Sequence, residues 1–287
     1  MNKKTLLVGL SVLAVMFVGV AVLIAILYGG DGVKDGKPQV RKSEALFCAV
    51  PSNAVAVARF ADVKTASEKV LSLDVPPAKG RGGFGKAVAD AVAAGRLPEL
   101  SANALAVSLQ YSKNLVPLYV FDAGRAGDTE NDAEVNLIAT LASEAGLSFN
   151  DCDCSKILSV TQELRGRRLL LVSPADNVVN SSLRHLNDGV SIYDSNGFAA
   201  AASGVSASSS LFISVSAADQ ILPSVLSPSI RKHYKFLTSF SEWIGAELSF
   251  GEKGVELYGK AFSARQTDFA NVLVSQKPAS CNVFSIA

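Results

Sequence analysis

Few residues in this chain have types and spacings that could do chemistry. The sharpest group is Gly80-Arg81-Gly82-Gly83-Phe84-Gly85-Lys86-Ala87. Gly80, Gly82 and Gly85 match the glycine spacing of a dinucleotide fingerprint, and Gly80 to Lys86 matches a P-loop up to its last position. Both motifs work by presenting backbone N–H groups at a helix start to phosphate. Here Ala87 replaces the hydroxyl that would hold magnesium, and Pro76-Pro77-Ala78-Lys79 stand where a strand should lead in. No acidic residue follows at the spacing of a second strand, and an exported domain would meet little ATP or NAD. The segment reads as a loop entering a helix, with no cofactor.

A metal site is suggested by Asp151-Cys152-Asp153-Cys154. Zinc sites, however, space their cysteines by two to four residues and need further ligands, and only His185 and His233 are available elsewhere. On a strand, residues i and i+2 share a face, so the expected arrangement is two apolar thiols inward and two aspartates outward. Cys48, Cys152, Cys154 and Cys281 are too few for a disulfide framework. In an oxidising compartment one pair can still close.

Nucleophilic catalysis lacks a setting, because no Gly-x-Ser-x-Gly elbow occurs. His185 falls at a helix end, where an imidazolium suits the dipole. His233 sits in the basic run Arg231-Lys232-His233-Tyr234-Lys235, a solvated face. Paired carboxylates distant in sequence can meet in a fold, but nothing selects a pair. Trp243, the only tryptophan, reads as a core plug rather than an interface anchor in its apolar neighbourhood. No catalytic, cofactor-binding or metal-binding residue is therefore assigned.

The location is plainer than the chemistry. Leu6 to Tyr28 contains no charged residue and is almost wholly apolar. At about 1.5 Å of rise per residue, one such helix crosses a bilayer core of about 30 Å. Lys3 and Lys4 precede it with no acidic residue between, which keeps residues 1–5 cytoplasmic and sends the rest outside. A cleaved signal peptide has a shorter apolar region and a small-x-small site; Leu27-Tyr28-Gly29-Gly30 fits such a site badly, and Gly30-Asp31-Gly32 fits it poorly. The span is read as a retained anchor in the lipid bilayer. Gly9 and Gly19 lack the four-residue spacing of a helix-pairing motif.

Residues 29–43, rich in Gly, Lys and Asp, form a linker to an extracytoplasmic domain over 44–287. That domain is long enough to bury a core without disulfides. The whole chain of 287 residues carries a net charge of only +1, which argues against nucleic acid as a partner and gives no steering field toward an anionic surface.

The pattern along the domain predicts a strand over Ala54 to Phe60, then a helix capped by Asp62 with Val63, Ala66 and Val70 inward. Pro76-Pro77 breaks the chain. A second helix runs from Phe84 to Ala94, with Phe84, Val88 and Val92 on one face and Gly95 at its end. Ala104 to Gln110 and Leu115 to Phe121 make a hairpin around Ser112-Lys113-Asn114. Asp132 caps a helix carrying Val135, Ile138 and Ala142, closed by Gly146. Ile157 to Leu164 and Arg168 to Val172 make a second hairpin. Ser173-Pro174-Ala175-Asp176 then caps a helix with Val178, Val179, Leu183 and Leu186 inward.

The last third resembles the first. Leu211 to Asp219 repeats the strand and aspartate cap of Ala54 to Asp62, and the hairpin Leu248 to Tyr258 repeats that around Val107 to Tyr119. Two strand–helix–hairpin units, about 44–146 and 147–287, imply an α+β fold of mainly antiparallel sheet with helices packed on it. The apolar ending Cys281 to Ala287 suggests that the sequence stops inside a longer protein.

Trp243 after a helix, the hairpin Leu248-Ser249-Phe250…Gly254-Val255-Glu256-Leu257-Tyr258-Gly259, Asp268-Phe269 and Gln276-Lys277-Pro278 resemble an uncharacterised family of bacterial membrane-anchored envelope proteins. Val50-Pro51-Ser52-Asn53 and the strand after it are similar to that family's opening. The resemblance implies a downstream β-rich domain in longer relatives and brings no catalytic residues. The expected function is a non-enzymatic scaffold or assembly subunit of the cell envelope, partnered by the bilayer and by another envelope protein. The alternatives are a module binding a glycan, peptide or lipid, and, behind it, an exported hydrolase.

Overall fold

The computed structural model describes residues 45–71, 83–112, 114–160, 164–205, 208–217, 242–251 and 254–262. The span expected at Leu6 to Tyr28, the linker, Pro76-Pro77, His233 and Cys281 lie outside the described residues. Among those described, no helix is long and apolar enough to cross a membrane.

The fold is α+β, built on one eight-stranded sheet in the order β4-β5-β3-β2-β1-β6-β7-β8, with every neighbouring pair antiparallel. The strands are β1 (Ala54–Phe60), β2 (Leu105–Ser112), β3 (Asn114–Arg125), β4 (Ser148–Asp153), β5 (Arg167–Ser173), β6 (Ser209–Ser214), β7 (Trp243–Gly251) and β8 (Gly254–Phe262). The helices are α1 (Ala45–Cys48), α2 (Val63–Ala66, running into a π-helical turn over Ser67–Leu71), α3 (Phe84–Ala93), α4 (Pro98–Ser101), α5 (Asp132–Glu144), α6 (Asp176–Asp188) and α7 (Phe198–Gly204).

Helices pack on the sheet as expected, and they cover both of its faces. Along β5, Leu169 and Leu171 join a core with α1, α6 and α7, while Leu170 and Val172 join a core with α2, α3 and α5. A strand buried on both faces is apolar at consecutive positions rather than alternate ones. The first core holds a chain of edge-to-face rings in which Phe198 meets Phe47, Phe212 and Trp243. Trp243 is fully buried, and its indole N–H donates to Ser195 Oγ at 3.2 Å, so it is a core plug.

Several expected elements form as read. Ala54 to Phe60 is β1, and Asp62 caps α2 by accepting from the Thr65 N–H. The hairpin around Lys113 closes with Ser112 opposite Asn114, and the hairpin around 252–253 with Gly251 opposite Gly254. Gly95 and Gly146, both at positive φ, follow α3 and α5 as C-terminal stops.

Others differ. The partner of β5 is Ser148–Asp153, not Ile157 to Leu164. The stretch after Lys156 turns instead, leaving Leu158 92% exposed. An edge strand is paired on one side only and carries outward charge, so the polar β4 suits that place better than the apolar run does. Asp132 is the first residue inside α5 rather than its cap, because its carboxylate is drawn to Arg168. Ser173 ends β5, donating to the Pro117 carbonyl, and Ala175 occupies the cap position of α6. After β6 a helical turn opens at Val215, with Ser214 Oγ accepting from the Ala217 N–H; the expected cap, Asp219, lies outside the described residues.

Helix α7 approaches β7 at Gly245. A Cβ built there would stand 2.8 Å from Val205 Cγ2 and 3.3 Å from the Ala201 carbonyl oxygen. Gly245→Ala should therefore destabilise the fold by about 1–3 kcal/mol through overpacking. Urea unfolding checks this, and an unchanged midpoint would mean that α7 does not sit on β7 this closely.

Candidate functional site

The chemistry-bearing side chains gather at one edge of the sheet, where β4, β5 and α5 meet. Strand β4 alternates as expected: Cys152 turns into the core beneath α1 and α6, while Asp151 and Asp153 turn out. Cys154 begins a 3₁₀ turn (Cys154–Lys156) and returns to the same core, which also contains Cys48. All three thiols are buried and unbridged. Cys154 Sγ lies 4.0 Å from the Cys152 carbonyl oxygen. A hydrogen bond between the two thiols draws Cys152 below the ordinary thiol pKa and pushes Cys154 above it. Burial and the nearby Cys152, Asp153 and Cys48 push Cys154 further in the same direction. Among the described residues, no group of three or more His, Cys, Asp or Glu side chains is arranged to hold a metal ion.

On the opposite face, Arg168 of β5 joins three elements. Its Nε and Nη2 grip both oxygens of Asp151 at 2.6–3.1 Å, and its Nη1 reaches Asp132 at 2.6 Å. Asp151 first, and Asp132 with it, hold the guanidinium firmly cationic. One residue earlier, Arg167 pairs with the buried Asp122, whose other contact is the Gly124 N–H at 3.0 Å. These arginines tie β3, β4, β5 and α5 together.

Glu134 does similar work inside the second core. It is only 7% exposed, and its two oxygens accept from the Glu99 and Leu100 N–H groups at 3.0 and 2.7 Å. A carboxylate from α5 thus satisfies the open donors at the start of α4, whose own cap residue, Leu97, cannot.

Of the glycine-rich segment, Gly80 to Gly82 lie outside the described residues. Gly83 precedes α3, Phe84 is buried, and Gly85 exists for close packing, since a Cβ there would stand 3.3 Å from the Leu71 carbonyl oxygen. Lys86 turns to Asp90 on its own helix at 2.7 Å. His185 lies in the last turn of α6 as expected, but its Nδ1 is enclosed without a hydrogen-bond partner. Burial first, then Arg184, lowers its pKa, against the weaker pull of Asp188 and Asp194. Neither Glu134 nor Arg168 carried a local signal in the sequence, because both act on partners remote along the chain.

Two outcomes follow from this arrangement. Glu134→Ala should cost about 1–3 kcal/mol by stranding buried donors, with Glu134→Gln milder because one amide oxygen can still accept; chemical denaturation compares the two. His185 binds a proton less readily when folded than at its ordinary pKa of 6.5. Its contribution is therefore present above that value and is lost as pH falls below it. Denaturation midpoints across this range should fall toward acid more steeply for the wild type than for His185→Gln, and equal slopes would refute the assignment.

No protein-family model, curated protein or solved structure matches the chain, so no activity passes to it from a relative.

Proposed function

We propose that this chain is a single-span, extracytoplasmic, non-enzymatic scaffold or subunit of an envelope membrane assembly. The observation that carries the reading is the uncharged run Leu6 to Tyr28, set behind Lys3 and Lys4 and ahead of a fold whose described part opens at Ala45. That opening is anchored at once: Leu46, Phe47, Ala49 and Val50 are buried, and the Val50 carbonyl accepts from the Ile192 N–H at 2.9 Å. The way the domain uses its polar groups agrees with a structural role. Arg168, Asp151, Asp132, Glu134 and Asp122 are each engaged in joining elements.

The domain is a duplication of a strand–helix–hairpin unit. In support, β1 and β6 are antiparallel neighbours, from Ala56 opposite Ile213 to Phe60 opposite Ser209, and the hairpins β2–β3 and β7–β8 flank them on either side. The likeness of the Trp243-to-Gly259 segment to membrane-anchored envelope proteins points the same way.

Crosslinking in intact cells, followed by mild detergent extraction and mass spectrometry, tests the proposal. One envelope protein should come away in fixed ratio. Recovery of the chain alone would favour the glycan-, peptide- or lipid-binding reading, and turnover of a substrate by the purified protein would sink the structural role.

A further inference from the structure

Three buried thiols share one core. Two of them, Cys152 and Cys154, turn into the same core at the sheet's edge on either side of Asp153, with Cys154 Sγ 4.0 Å from the Cys152 carbonyl oxygen. We propose that Cys152 and Cys154 form a reversible disulfide that closes across Asp153 and acts as a redox latch on the edge strand.

The backbone is suited to it. Two residues of an extended strand place their Cα atoms roughly 6.6 Å apart, at the long limit of the span a disulfide bridges. Asp153, at φ −83° and ψ 99°, is less extended than a regular strand residue, and the chain turns into the 3₁₀ helix at Cys154, which draws the two closer. Either thiol can open the exchange; taken from Cys152, it leaves Cys154 as the resolving thiol.

A small disulfide such as glutathione disulfide supplies the oxidant. The Cys152 thiolate attacks one of its sulfurs, breaking the glutathione S–S bond and releasing one glutathione thiolate, which takes up a proton. Cys154 then loses its proton and displaces the second glutathione from Cys152, forming the protein S–S bond. The net change is a protein dithiol and a glutathione disulfide becoming a protein disulfide and two glutathione thiols. Both sulfurs are buried, so the donor enters when β4 opens locally; in the described sheet β4 is held by β5 alone. A ring this small is strained and therefore readily reduced, which suits a latch better than a permanent staple.

The test uses the full chain in mild detergent with Cys281→Ser, equilibrated in graded mixtures of reduced and oxidised glutathione, then acid-quenched, alkylated and mapped by mass spectrometry. The peptide holding Cys152 and Cys154 should lose two hydrogens and both alkylation sites as the mixture becomes oxidising, and regain them when it is reversed. Cys152→Ser should abolish the change. Cys48→Ser should leave it intact, which keeps the test decisive should the first variant fold poorly. A bond joining Cys48 to either partner would overturn the proposal. So would glutathione adducts without ring closure, or thiols that stay reduced in the folded chain at every ratio.

Discussion

Strand β5 is buried on both faces, and that constraint governs much of what surrounds it. Leu169, Leu170, Leu171 and Val172 of β5 are all fully buried, so no side of this strand is left for water. A polar group at such a place must find a partner or cost several kcal/mol. Strand β5 meets the requirement at its ends: Ser173 donates to the Pro117 carbonyl, and Arg167 and Arg168 reach Asp122, Asp151 and Asp132. Glu134 meets the same requirement for α4. The polar network is thus a consequence of covering an antiparallel sheet twice.

These polar contacts are not equal. Lys86 and Asp90 are an exposed pair one helical turn apart, a geometry that contributes a few tenths of a kcal/mol, about 0.3–0.5. Arg168 is different, with its side chain only 16% exposed and carboxylates from two elements around it. Removing one partner of so enclosed a group leaves a charge short of solvation, which costs far more than the exposed pair contributes. The residues that matter most for the fold are therefore those whose partners lie furthest away in sequence.

That distance also decides what was legible beforehand. Local signals read well: the capping of α2 by Asp62, the hairpin turns at Lys113 and 252–253, the glycine stops after α3 and α5, and the inward turn of Cys152 follow from neighbouring residues and strand or helix period. Strand β4 as an element was missed because Ser148–Asp153 is polar, while the apolar Ile157 to Leu164 looked like the better partner for β5. Edge pairing rewards hydrogen-bond register and charge placement rather than apolar content. Asp132 was misplaced for a related reason: as an isolated residue it suits a cap, but Arg168 offers it a charge-assisted bond across 36 positions. Of the candidate chemistry, the proximity of Cys48 to Cys154 had no sequence signal at all.

The two edges of the sheet are unequal, and the thiols lie at the more elaborate one. On one side of the β1–β6 seam the sheet runs out through the hairpin β7–β8; on the other, β2 and β3 are extended by β5 and β4. The added strands carry both arginines, their partner Asp151 and Cys152, with Cys154 in the turn that follows. Asp151 is gripped by Arg168 and Asp153 is turned toward the Ser155 N–H, while Cys152 and Cys154 turn inward between and beside them. The ion pairs hold β4 on its polar side, while its sulfur side is packed into the core with Cys48. An edge strand paired on one side can open to expose the sulfurs, and its charged face restores the register when it closes.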